Sequence, residues 1–124
     1  MDIKDYLSAE NKARIIQEIV PGKQITLAHI IANPDKVLYY KLGLDPAEEH
    51  SGAFGILTLS PSETAIIAGD IAMKASGVEL GFVDRFSGTV IVTGTVSQVE
   101  AALSAVTEYA INKLGFAVCE ITRT

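Results

Sequence analysis

The sequence predicts an α+β fold, a two-layer sandwich with helices on one face of a sheet. Short runs rich in β-branched residues recur, as in Val90-Ile91-Val92-Thr93. Two stretches of helical spacing open on capping signals, Ser60-Pro61-Ser62-Glu63 and Ser97-Gln98-Val99-Glu100. The length of 124 residues suits one domain with a single core.

Residues 1–13 are polar, with Ile3, Tyr6 and Leu7 at near-helical spacing. They read as a short marginal helix or a tail. Residues 14–20 form a strand-like run stopped by Pro21-Gly22. Its faces are mixed: Ile15, Gln17 and Ile19 on one, Ile16, Glu18 and Val20 on the other. Such a strand fits no simple core position and is expected to pair outside its own domain.

A second strand spans Lys23 to Ala32, ended by Asn33-Pro34. Helical spacing follows from Asp35 to Leu44, with Gly43 near its end, then a polar loop from Asp45 to Gly52. Ala53 to Leu59 reads as a buried strand. Ser60 is placed as N-cap of the next helix, with Pro61 at its first position and Glu63 closing a capping box. Its expected apolar stripe is Ile67, Ile71 and Ala75, and Gly77 is its stop. Val78 to Gly94 reads as a hairpin whose tip carries Arg85, Phe86 and Ser87, with Gly88 where φ must be positive. The second capping box, Ser97 with Glu100, starts a longer helix with core stripe Val99, Leu103, Val106, Ala110 and Leu114. Lys113 and Gly115 mark its end, and residues 116–124 form a final strand.

The net charge of −5 gives no basic patch, which argues against nucleic acid or an anionic membrane as partner. No apolar run approaches the roughly 20 residues of a membrane helix, and the first residues lack the apolar core of a signal peptide. Hydrophobic residues make up 48% of the chain, high for so small a domain. That hints at a buried subunit interface, though an alanine-rich core explains it as well.

Catalytic constellations are thin. His29 sits in an alternating strand and reads as structural or interfacial, and His50 lies in a Glu-rich loop. The lone Cys119 reads as a small buried apolar residue. Two isolated histidines and one cysteine make no zinc set. The glycines form no dinucleotide or phosphate loop, so no cofactor is expected. Asp70 and Lys74 stand at i, i+4, where an exposed pair contributes a few tenths of a kcal/mol. The hairpin tip is different: a turn explains Gly88, but not the charge, ring and hydroxyl before it.

The stretch Asp70 to Leu80, with Gly81-Phe82, Ser87-Gly88, Val90 to Gly94 and Val99 to Ala102, resembles the core of bacterial microcompartment (BMC-domain) shell proteins. In typical members a strand and helix like residues 21–34 close the chain, whereas here they come first. That order is similar to the circularly permuted single-domain subgroup of propanediol-, ethanolamine- and choline-utilising compartments. The resemblance implies a permuted, ferredoxin-like BMC domain over residues 21–124, preceded by a barrel strand at 14–20 and a tail at 1–13. It also implies a cyclic homohexamer in the shell of a microcompartment in the bacterial cytoplasm. The expected partners are other shell proteins and encapsulated enzymes. Arg85, Phe86, Ser87 and Gly88 fall on the loop that faces the central pore. The bulk of Arg85 and Phe86, in a loop usually rich in glycine, implies restricted passage. Lys74 matches an edge lysine between neighbouring hexamers, and Asn33 stands where arginine often precedes proline. Ile15, Ile16, Gln17, Glu18, Ile19 and Val20 match a strand that forms, in six copies, a parallel barrel over the pore. The implied role is structural, without catalysis. Rival readings are a ferredoxin-like metabolite-binding regulator, supported by fold analogy, and a small enzyme using His29 or Cys119.

Overall fold

The computed structural model describes residues 22–44 and 52–124. The tail at 1–13, the strand at 14–20 and most of the polar loop, with His50, lie outside the described residues. The elements are β1 (Gln24–Ala32), α1 (Lys36–Leu42), β2 (Gly52–Ser60), α2 (Thr64–Ala75), β3 (Glu79–Asp84) and β4 (Thr89–Thr95). Then come α3 (Val96–Tyr109), a π-helical turn (Ala110–Leu114), β5 (Ala117–Val118) and β6 (Thr122–Arg123).

The sheet runs β3-β4-β2-β1, antiparallel throughout, and β5 and β6 both lie parallel on the far side of β1. The expected closing strand is therefore two short pieces. A register shift in β1 between Ile25 and Leu27 explains the break, because Cys119 to Ile121 stand opposite it.

One sheet face carries Ile25, Ala28, Ile30, Ala53, Leu57, Leu59, Val90 and Val92. α3 packs on it through Val99, Ala102, Leu103 and Val106, so its predicted stripe is the observed one, with Leu114 only partly buried. The helix sits close because β2 has Gly55 beneath it: a Cβ there meets Leu103 Cδ1 and Val99 Cγ1, each at 2.7 Å. Burying one such leucine contributes about 1.5–3 kcal/mol.

α2 packs on the same face, but its inward stripe is shifted from the expected one, of which only Ile71 packs partly against the core. Ala65, Ala68, Gly69 and Ala72 point inward, while Ile66, Ile67 and Ala75 are exposed and Ile71 is half-buried. Small residues let the helix approach β3, where a Cβ on Gly69 lies 3.4 Å from Leu80 Cδ1.

The helices do not share one face. Side chains alternate along β2, so Phe54 points away from Ala53 and Leu57, and its ring meets Tyr39 of α1 edge-on at 4.7 Å. That burial pushes the Tyr39 phenol pKa up. Asp35 caps α1 by accepting from Val37 N at 3.0 Å, and Gly43 ends it at φ 71°.

Both helix starts differ from the sequence reading. Ser60 stays in β2, paired with Gln24, and cannot cap. Residues 61–63 form a turn instead: Pro61 O accepts from Thr64 N at 2.9 Å and from Thr64 Oγ1 at 2.6 Å. Glu63 takes the cap position without a side-chain bond, so no box closes there. α3 does open with a capping box, two residues earlier than expected. Thr95 Oγ1 accepts from Gln98 N at 3.1 Å, and Gln98 Oε1 accepts from Thr95 N at 2.9 Å. Thr95 already has the extended backbone a cap requires, whereas Ser97 lies inside the first turn. The Gln98 side chain also fills the space above Gly77 and Gly94: a Cβ on either comes within 2.8 Å of it. Gly77 thus serves packing, and Ser76 holds the C-cap position.

Candidate functional site

The hairpin β3–β4 builds its tip from the strands outward. Its last pair is Asp84 with Thr89. Asp84 Oδ1 accepts from Phe86 N at 2.9 Å, and Oδ2 accepts from Ser87 Oγ at 2.9 Å. Ser87 Oγ also lies 3.1 Å from Thr89 Oγ1. These hydrogen bonds, first that from the Phe86 amide and then that from Ser87, hold the Asp84 carboxyl below its usual range. Gly88, at φ 80°, donates to Asp84 O and accepts from Leu59 N, both at 2.8 Å. The tip is thereby tied to its own strands and to β2.

Two side chains stand out from this base. Phe86 is 79% exposed. The guanidinium of Arg85 lies over the Phe86 ring, 4.9 Å from its centroid. The four predicted tip residues are thus brought together: Ser87 and Gly88 build, while Arg85 and Phe86 are displayed.

The tip shares one end of the sheet with the entry to β1. Gln24 pairs with Ser60, and the next β2 residue, Leu59, is bound to Gly88. The chain preceding Gln24 therefore enters the fold beside the hairpin tip. Thr124 lies at the opposite end, where its N–H donates to Ile30 O and its carbonyl accepts from Ala32 N, both at 2.9 Å.

Lys74 and Asn33 lie elsewhere and share no bond with the tip or each other among the described residues. Lys74 Nζ meets Asp70 Oδ2 at 2.9 Å on the open face of α2, and this hydrogen bond raises its pKa. Asn33 adopts φ 53°, a conformation asparagine tolerates, and its N–H donates to Gly52 O at 2.9 Å.

The sequence reading missed an apolar outer surface. Ile66, Ile67 and Met73 of α2, with Tyr109 and Ile111 after it, are all about half exposed. The signal was the spacing of Ala65, Ala68, Gly69 and Ala72, a stripe narrow enough to be overlooked beside the isoleucines. Exposed apolar residues grouped this way mark a contact surface.

His29 is structural. Nδ1 lies 2.6 Å from Thr122 Oγ1 and Nε2 2.9 Å from Thr124 Oγ1, so both ring nitrogens fasten the terminal segment to β1. Cys119 is half-buried, not fully buried as expected, because it sits at the sheet's edge opposite the β1 shift. Among the described residues no group of three His, Cys, Asp or Glu side chains could hold a metal. Nor is any described helix long and apolar enough to cross a membrane.

The sequence profile of the BMC domain matches residues 53–122. The chain is similar to PduU, a bacterial microcompartment shell protein of Salmonella typhimurium, at 58% identity over 111 residues, 90% of this chain and 93% of PduU. It is also similar to the shell protein EutS of Salmonella typhimurium, at 54% identity over 114 residues, 92% of this chain and 99% of EutS. Among solved structures it is similar to a CutR flat hexamer, with a TM-score of 0.79 and 50% identity, covering 90% of this chain and 99% of that one.

Proposed function

The chain belongs to the BMC-domain family of bacterial microcompartment shell proteins, and from that premise we propose a cyclic hexamer with a capped axial pore. Its role is that of a structural shell subunit, not an enzyme, in keeping with its relatives. The metabolite-binding regulator is not favoured, since those relatives match along nearly their whole length. The hexamers tile edge to edge, with each other and with other shell proteins, into a layer enclosing enzymes in the bacterial cytoplasm. A CutR relative is described as a flat hexamer, which supports the same ring for this chain. A head-to-tail interface that closes gives such a ring, and one that repeats in the plane gives a sheet.

The observation that carries the axial reading is the shared end of the sheet. Arg85, Phe86, Ser87 and Gly88 form the pore loop in this proposal, and residues 14–20 form the barrel strand above it. The entry to β1 beside the hairpin tip supports that arrangement, because the chain ahead of β1 joins the sheet at the end where the loop stands. Ile15, Gln17 and Ile19 face one side of the barrel wall, and Ile16, Glu18 and Val20 the other. The tail at 1–13 precedes this strand.

Permutation fits the same picture. The BMC profile begins at residue 53, after β1 and α1. Yet β1 is an interior strand, with β2 on one side and β5 and β6 on the other. This supports reading residues 21–124 as one permuted domain, since the sheet includes a strand from outside the matched segment. Lys74 and Asn33 are assigned to the edge between hexamers, and the apolar outer surface of α2 to contacts between subunits.

Native mass spectrometry and electron microscopy of the purified protein test this reading. Sixfold particles and sheets are expected. Monomers or dimers alone at high concentration would sink it.

A further inference from the structure

We propose that the Arg85 guanidinium, shelved on the Phe86 ring, is an oxyanion-binding fork, and that six of them form one axial site for a multivalent inorganic oxyanion of the phosphate class. The convergence of six rests on the hexamer proposed above; the fork itself does not.

The fork is built but unspent. Arg85 is exposed and has no carboxylate within 4.0 Å among the described residues. Its neighbour Asp84 turns both oxygens to the tip, one to Phe86 N and one to Ser87 Oγ. The guanidinium carbon lies 4.9 Å from the centroid of the Phe86 ring, and the exposed side chain leaves N–H groups free to bind. Those groups match two oxygens of a phosphate-like group, and the ring contact limits the side-chain freedom that binding must remove. The base below cannot drift, because Gly88 is bonded to both Asp84 and Leu59.

Charge sharpens the argument. The chain carries a net −5, so a protruding cation is a local exception. Six such cations around one axis repel one another when empty, and a multivalent anion relieves that repulsion. Lysine cannot substitute fully, since it lacks the planar fork.

Calorimetric titration with inorganic pyrophosphate at low ionic strength tests the proposal. It uses the full chain as wild type, Arg85→Ala, Arg85→Lys and Phe86→Leu, with native mass spectrometry alongside. Arg85→Ala is expected to weaken binding about tenfold or more, the loss of a charge-assisted pair. Arg85→Lys and Phe86→Leu should fall between it and the wild type. One anion per six chains supports the axial site. One per chain overturns the shared site. Equal binding by wild type and Arg85→Ala, or none by wild-type hexamers, overturns the fork. Failure of the hexamer itself shows separately, in the mass spectra.

Discussion

Replacing Gly88 with alanine should destabilise the chain more than any other single added methyl at a left-handed glycine. Gly88, Gly43 and Gly115 all have positive φ, at 80°, 71° and 73°. An alanine in the left-handed region costs about 1–2 kcal/mol from its backbone alone. At Gly43 and Gly115 nothing lies within 4 Å of an added Cβ, so that cost is the whole effect. At Gly88 the Cβ falls 2.2 Å from Leu59 O and 3.1 Å from Ser62 Cα, both backbone atoms. The hairpin must lift away from β2, which removes the 2.8 Å bond from Leu59 N to Gly88 O. Leaving Leu59 N without a partner adds about 1–3 kcal/mol. Gly88→Ala should therefore cost about 3 kcal/mol in total, a fall in Tm of about 10 °C for a chain of this size. Gly115→Ala should cost about half of that. Denaturant unfolding at one fixed protein concentration measures both, the fixed concentration removing any change from assembly. A Gly88→Ala variant no less stable than Gly115→Ala refutes the close-approach argument.

Thr95→Ala removes the oxygen that caps α3 and should lower stability by about 1 kcal/mol, read from the same unfolding curves, with Ser97→Ala near neutral. Asp84 has a lowered pKa in the fold, so its stabilisation is present above the ordinary carboxylate range and is lost as pH falls through the folded value. The wild type should thus lose Tm on acidification more steeply than Asp84→Asn, and parallel pH profiles contradict the assignment. Deleting residues 1–20 should leave hexamers intact while admitting solvent to the axial channel. Native mass and tracer permeation of reconstituted layers check this, and loss of all assembly means the deleted strand is itself the main interface.

The sheet's order in the chain was readable because β-branched runs, Asn33-Pro34 and the hairpin glycines each impose local geometry that tertiary packing does not override. The α3 stripe was readable for the same reason: Val99, Leu103 and Val106 are large, and a large residue on a helix has few places to go. α2 misled because the rule that large residues point inward holds only when the inside has room. Gly69 and its alanines pack against Leu80 and the strands, so Ile66 and Ile67 turn outward while Ile71 keeps only partial contact with the core, a choice no single-chain periodicity encodes. Ser60 misled because its capping pattern competed with a ladder partner, Gln24, distant in sequence. The side chains of the hairpin tip were legible as a group, but the stacking of Arg85 on Phe86 and the double use of Asp84 required coordinates.

The path of β1 has a practical consequence for attaching cargo. Its first residue, Gln24, stands beside the hairpin tip, whereas Thr124 is bonded at its far end, beside Ala32. Nine extended residues separate these points, about 30 Å. In the proposed hexamer, a fluorescent passenger joined ahead of residue 22 sits where six copies crowd together. The same passenger joined after Thr124 emerges at the opposite rim of the sheet, clear of that crowd. Display and labelling of intact layers therefore belong on the Thr124 side, and a plug meant to seal the axis belongs on the other.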